Sequence, residues 1–487
     1  MSASTCLRCC LVRPAPALSA ASLPIRTATP LHQLRPAIQQ VATFSTTPAA
    51  AKAAPKGNDP ESSLKGHIRA GKRLVLRKFK KKNLDRGKPP LPGERKAYRK
   101  RIILSNDNAL PVPWVTEMGP EDLLKKQNEA KVLSLPDDVV DQLRAIEAFK
   151  PTQNWKMFRK PSVLVRKETV DLVNRMQNAA GNRQTLKLVV TGDKVSGKSL
   201  LILEAQAHAF MNEWIVIHLP EGQDLTNAHT EYAPIPNTNP TQYMQPTYIM
   251  KLLQNIKKAN EKVLMKLTTV TTHPELPQNI TPGTPLITLA GACKEADYAW
   301  ATFMAFWKEL THPAAQGRPP ILFSLDGLAH IMRLSEYRSP AFELIHSHDL
   351  ALVRLFVDCL SGHTPLPHGG AVLASTSGNN APKTPSLDLA LAQRLAEQAG
   401  KPAAEIPKRD PYFRGYDDRV EHALRNVQVL PLRGVSKLEA RALMEYWAAS
   451  GMYKEVVDER AVAAKWALAG SGLVGEMERA ALLTMRM

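Results

Sequence analysis

Cysteine is scarce in this chain. Of five among 487 residues, Cys6, Cys9 and Cys10 fall within the first ten positions, which leaves Cys293 and Cys359 for all the rest. Two scattered thiols cannot staple a secreted fold and suit a reducing compartment. With no second half at ligand spacing they do not make a zinc site either, so both read as small core residues. Long apolar runs are missing as well: no stretch of eighteen or more apolar residues occurs, which excludes a transmembrane helix and a membrane partner of that kind. Acids are absent from residues 1–58, a segment that carries Arg8, Arg13, Arg26, Arg35, Lys52 and Lys56. A secretory signal does not fit there, because no continuous apolar core follows Arg8 or Arg13 and prolines interrupt the segment.

What that segment does have is the composition of a mitochondrial transit peptide: Arg, Ser, Thr and Ala, with Leu18, Leu23 and Ile25 among spaced arginines. Residues 1–45 are read as the leader, with processing near Phe44-Ser45 and the mitochondrial matrix as destination. The next stretch, 46–110, is read as a basic disordered extension. Within it, residues 65–101 hold sixteen Lys and Arg against Asp85 and Glu94. The net charge of +19 therefore sits in the N-terminal fifth, and the remaining chain is within one charge of neutral.

A segment so charged cannot bury a core, and self-repulsion keeps it extended until an anionic surface neutralises it. Each cation that meets a phosphate releases counterions, so the run reads as a sequence-independent RNA contact. The expected contacting residues are Arg77, Lys78, Lys80, Lys81, Lys82, Arg99, Lys100 and Arg101, with Phe79 and Tyr98 available to stack on unpaired bases. A solvated basic linker is the plainer alternative.

Residues 111–184 are expected to be helical. Val139, Val140, Leu143 and Ile146 stand at helix spacing within Pro120 to Phe149, after the acidic start Asp137-Asp138. A second helix is expected over Arg166 to Met176. From residue 185 the texture becomes α/β, and 185–380 is read as the core. Apolar strands are expected at Leu186 to Val190, Trp214 to Ile217, Ile321 to Leu325 and Ala371 to Ala374. Helices are expected at Leu200 to Met211, Tyr248 to Leu267 and Glu295 to Leu310. Strands alternating with helices imply a parallel sheet covered on both faces. Residues 381–411, rich in Pro and Ala, read as a linker or exposed excursion. Residues 412–487 read as a helical C-terminal region that includes the capping box Ser436-x-x-Glu439.

Gly192-Asp193-Lys194-Val195-Ser196-Gly197-Lys198-Ser199 matches G-x-x-x-x-G-K-[ST] in full, after an expected strand and before a helix that opens at Leu200. In such a loop the glycines let successive N–H groups turn inward as an anion nest, and the helix presents its positive end to the same phosphates. Lys198 would bridge the β- and γ-phosphates, and the Ser199 hydroxyl would hold Mg²⁺ together with Asp326 at the end of a neighbouring strand. The next residue is Gly327, so no side chain there can accept a proton from an attacking water. Ser375 and Thr376, at another strand end, are candidate γ-phosphate sensors. The bland reading of the loop is a Gly-rich turn without ligand. The residues specify a nucleotide and do not by themselves choose between guanine and adenine, since the Asn/Thr-Lys-x-Asp pattern of classical GTPases is absent.

These blocks resemble the mitochondrial small-subunit ribosomal proteins of the death-associated protein 3 family, in its fungal form. The resemblance rests on Phe158-Arg159-Lys160-Pro161, the loop Gly192 to Ser199, and Trp214-Ile215-Val216-Ile217-His218-Leu219-Pro220. It continues with Leu325-Asp326-Gly327, Gly369-Gly370-Ala371 and Glu445-Tyr446-Trp447, together spanning roughly residues 150–455. It implies an AAA-like P-loop NTPase core, bound GTP or GDP, and a place in the small mitoribosomal subunit beside its rRNA and other mitoribosomal proteins. The family's loop commonly ends Gly-Lys-Thr, and Ser199 supplies an equivalent hydroxyl. The competing reading is an ATP-driven matrix remodelling enzyme of the AAA type. Gly327 and the lack of a recognisable arginine finger count against it, and little or no NTPase turnover is expected.

Overall fold

A computed structural model describes residues 102–483 apart from residues 316 and 379. The leader and the cations Arg77 to Arg101 lie outside the described residues. The centre of the fold is a five-stranded parallel sheet: β1 (Thr185–Gly192), β2 (Ile215–Leu219), β3 (Ile321–Asp326), β4 (Gly370–Ser375) and β5 (Gln428–Leu432), in spatial order β5-β1-β4-β3-β2. Alternation along the strands divides the core into two layers. Val189, Ile217, Phe323 and Val372 join one hydrophobic cluster, while Leu188, Val190, Val216, Leu322 and Leu373 join the other. With both faces buried, the central strands are continuous apolar runs, as parallel sheets require.

Three helices cover one face: α1 (Asp137–Ala145), α2 (Lys167–Gly181) and α3 (Lys198–Met211). α3 is sandwiched, burying residues all round its circumference. The other face is covered by α4 (Pro246–Ala259), α5 (Ala299–Leu310), α6 (Ala351–Ser361), α7 (Pro385–Gln398) and α8 (Asp418–Leu424). There Phe323 of β3 lies 5.6 Å from the Trp307 ring of α5 and meets Phe356 of α6 edge to face at 4.9 Å. A third cluster joins α9 (Lys437–Ala449), α10 (Glu459–Leu468) and α11 (Val474–Glu478) to Val132 and Leu164. The capping box that opens α9 is present, with Glu439 N–H donating to Ser436 Oγ at 3.3 Å and Ser436 N–H to Glu439 Oε2 at 2.7 Å. No helix among the described residues is long and apolar enough to cross a membrane.

Four details depart from the sequence expectation, each for a local reason. Between Pro120 and Pro136 the chain forms turns, a single 3-10 turn at Lys126–Asn128 and a short strand, Val132–Ser134, paired antiparallel with Ser162–Leu164; Pro136 disfavours helix in the residue before it. The helix expected to run from Tyr248 to Leu267 is interrupted at Asn260. Its side chain accepts from Val216 N–H at 2.8 Å and donates to Val216 O at 2.9 Å, covering the open edge of β2. The Pro/Ala-rich stretch 381–411 contains α7, where Pro385 occupies the first turn and Leu387, Ala390 and Leu391 are buried. A fifth strand, β5, lies in the region expected to be helical, so the sheet draws on residues beyond 380. Pro431 is tolerated there because β5 is an edge strand.

Candidate nucleotide site

Register assembles the site. The parallel pairing sets Ser375 beside Asp326 on one side and beside Val190 on the other, with Leu432 opposite Gly192. The C-terminal ends of β1, β3, β4 and β5 therefore finish at one level. The loop Gly192–Ser199 leaves β1 there, at the end of a parallel sheet where ligands of open α/β folds bind. Gly192 has φ +149°, and a Cβ on it would stand 2.3 Å from Leu432 O. Gly197, at φ +101°, forms the N-cap of α3. The first N–H groups of that helix have no intrahelical acceptor. Leu200 N–H turns back to Gly197 O at 2.9 Å, and Ser196 N–H to Asp193 O at 3.4 Å.

Lys198 is buried, and its ammonium donates to Gly192 O at 2.8 Å and Asp193 O at 2.6 Å. Desolvation pulls its pKa below the usual lysine value, with the Asp193 charge acting in the opposite sense. Asp326 is almost fully buried and collects three partners. Ser199 Oγ donates to Oδ2 at 2.6 Å, the Lys150 ammonium pairs with the same oxygen, and Ser375 Oγ donates to Oδ1. Thr376 turns the other way, its N–H meeting Val190 O at 3.0 Å and its hydroxyl the same oxygen at 3.4 Å. Lys194 lies against Gly378, whose Cβ would be 3.0 Å from Lys194 Cα.

Behind the loop, Arg166 is buried and donates to Ser196 O at 2.9 Å and Arg433 O at 2.7 Å, tying the loop to the end of β5. Glu204 of α3 is fully buried beneath it and accepts from Thr169 Oγ1 at 2.5 Å. Burial pushes its carboxyl up to about 8, against the lowering pull of that hydrogen bond and of Arg166. The C-terminal segment closes the remaining side: Gly475 N–H donates to Val195 O at 3.1 Å, and a Cβ on Gly475 would be 2.8 Å from Val195 Cβ.

The residues singled out in the sequence from Gly192 to Leu200, with Asp326, Ser375 and Thr376, are thus brought to one end of the sheet. Sequence reasoning missed Lys150, Arg166 and the seat of Gly475. No local pattern marks them, since each reaches the site from a distant element. Gly327 has φ +89°, a left-handed conformation that favours glycine, and a Cβ on it would meet Gly222 N at 3.4 Å. The missing carboxylate at this position is therefore also a backbone requirement. Cys293 and Cys359 are free thiols, and burial pushes Cys359 up to about 12.

Fold and loop together define an α/β protein with a phosphate-loop sequence at the C-terminal edge of a five-stranded parallel sheet. Residues 163–480 match the family described as mitochondrial ribosomal death-associated protein 3, and the chain belongs to that family. Its similarity to a Neurospora crassa protein named small ribosomal subunit protein mS29 is 56% identity over the full length of both. A Schizosaccharomyces pombe protein of the same name is 24% identical over 363 residues, 73% of this chain and 72% of its own. A Mus musculus protein of that name is 23% identical over 225 residues, 46% of this chain and 56% of its own.

Proposed function

We propose that the chain is a structural component of the small subunit of the mitochondrial ribosome in the matrix. In this reading its loop Gly192–Ser199 holds a purine nucleotide, GTP or GDP by family resemblance, and its segment 65–101 lies on rRNA. The full-length likeness to a small ribosomal subunit protein supports the place, and the complete loop motif Gly192 to Ser199 supports the nucleotide. The observation that carries the nucleotide reading is Lys198 folded onto the loop's own carbonyls, poised to exchange two backbone acceptors for phosphate oxygens. Loop, helix start and Lys198 are the three parts a polyphosphate cradle needs. A ligand bound by the folded state alone stabilises it by about 2.7 kcal/mol at a hundredfold excess over Kd, a reason to keep a cradle without turnover. Gly327 gives the attacking water no base, which disfavours the remodelling-enzyme reading.

The test is the nucleotide content of the protein as isolated, its turnover with GTP and with ATP, and its sedimentation in salt-washed matrix extract. Bound purine nucleotide, negligible turnover and co-sedimentation with the small subunit are expected. Lys198→Ala should empty the loop and lower both thermal stability and incorporation into the subunit. Turnover on the order of 1 s⁻¹ or faster would instead restore the remodelling enzyme. For the basic segment, six to eight phosphate contacts on single-stranded RNA would give a log K against log salt slope of about −4 to −6. Deleting residues 69–101 should remove most of that slope.

The oxygen set of Ser199 and Asp326 is of the kind magnesium takes. The metal does not fit at Asp326 as it stands, however, because Lys150 already pairs with the carboxylate oxygen that Ser199 also uses.

A further inference from the structure

Lys150 arrives from outside the sheet on a turn whose backbone is held in place. Its N–H donates to Gln153 Oε1 at 2.9 Å, an oxygen that also accepts from Trp155 Nε1 at 2.8 Å, and Gln153 N–H returns to Lys150 O at 3.1 Å. Phe149 beside it is buried and meets the Trp155 ring edge to face at 5.4 Å. Asn154, which follows Gln153, donates to Glu478 Oε1 at 2.6 Å, which fastens the turn to the end of α11. From this anchor the side chain, 21% exposed, reaches a carboxylate that is 3% exposed.

A carboxylate offers about four lone-pair positions. At Asp326 three are engaged, by Ser199, Lys150 and Ser375, and the single negative charge is matched by one ammonium. The charge is matched by the chain itself, and both carboxylate oxygens are already engaged. A divalent ion approaching Oδ2 would have to expel Lys150 from a short, anchored tether or stand beside it as a like charge in a site of low dielectric.

We propose that the Lys150 ammonium is the resident cation of Asp326, taking the place of a divalent metal, so that the loop holds a nucleotide's phosphates with little dependence on magnesium. The nucleotide half of this statement rests on the proposed function; the exclusion of metal from Asp326 does not. Lys150 is here a positioning residue, setting the charge at the end of β3 with a group that cannot dissociate from the protein.

The experiment separates the two halves, using the full chain freed of nucleotide. Mn²⁺ alone is titrated into wild type, Lys150→Met, Lys150→Arg and the double variant Lys150→Met/Asp326→Asn, with bound metal read by electron paramagnetic resonance. Lys150→Met is expected to gain a Mn²⁺ site at least about tenfold tighter than any in wild type, lost again in the double variant and absent from Lys150→Arg. Wild type and Lys150→Met binding Mn²⁺ equally well, at a site that requires Asp326, would overturn the proposal. The second measurement is the affinity for a fluorescent GDP analogue in EDTA and in millimolar magnesium. Wild type should differ by less than about threefold between the two, and Lys150→Met should lose about tenfold or more in EDTA. A tenfold loss by wild type in EDTA would also overturn the proposal, and that arm stands even where Lys150→Met fails to fold. If no nucleotide binds while the Mn²⁺ results are as expected, the nucleotide reading falls and the Lys150 assignment holds.

Discussion

Two glycines at the site are required for different physical reasons, and substitution separates them. At Gly327 the obstacle is the backbone alone: φ is +89°, and the nearest atoms to an added Cβ, Gly222 N at 3.4 Å and His330 Cδ2 at 3.5 Å, are at ordinary contact. Gly327→Ala should therefore cost about 1–2 kcal/mol, the strain of an L-residue in the left-handed region. Placing Glu there to supply a base carries the same strain. At Gly192 an added Cβ would overlap Leu432 O at 2.3 Å, so either the loop or the edge strand β5 must move. Gly192→Ala should cost more than Gly327→Ala and should weaken binding at the loop as well. Denaturant midpoints of the two variants check the order, and a Gly192→Ala midpoint at or above that of Gly327→Ala would contradict it.

Among elements, β2 illustrates how an edge is closed without another strand. Asn260 is buried, and its amide satisfies both Val216 N–H and Val216 O. Removing that amide leaves two backbone groups without their partner, at about 1–3 kcal/mol for each that stays dry. Asn260→Ala should thus lower stability by about 2 kcal/mol or more and should speed amide exchange at Val216 before the central strands. Unchanged exchange at Val216 would show that the Asn260 amide is not what protects the edge. The same residue shows where the sequence stops being legible. The helical period from Tyr248 to Leu267 is real on both sides of Asn260, and nothing local announces that its side chain serves a strand. Strands β1 to β4 could be read because each is a short apolar run bounded by turn residues. β5 could not, because Pro431 breaks the run and edge position is a property of the whole sheet. α7 was hidden by composition, since Pro385 starts a helix as readily as it ends one. The loop was legible as a motif, whereas Lys150 on Asp326 is a long-range pairing without any periodicity or spacing to betray it.

For the molecule as a whole, buried titratable groups set opposite pH limbs. Burial depresses His208 and His330 to about 4 and His348 to about 3, with Arg333 adding to the effect at His330, and with His346, Arg354 and Arg419 adding to it at His348. Between the ordinary histidine value of 6.5 and about 4 the unfolded chain binds more protons than the folded one at all three sites, so stability rises with pH there. Glu204 works against this, because its folded value near 8 exceeds its ordinary 4.5 and the folded protein holds the extra proton between them. Three groups outweigh one below pH 6.5, and above it Glu204 alone remains of the four. Thermal stability should then peak at about pH 6.5–7 and decline toward pH 8. Glu204→Gln retains a polar partner for Thr169 and cannot ionise, so it should keep the acid limb and flatten the decline above the peak. The loop shares in this, since Thr169 and Arg166 link Glu204 to the Ser196 carbonyl. Nucleotide affinity of the wild type should weaken over the same alkaline interval and that of Glu204→Gln should not. Melting temperatures and affinities of both proteins across pH 5–8.5 decide the matter. Parallel alkaline limbs in the two would remove Glu204 as the group responsible.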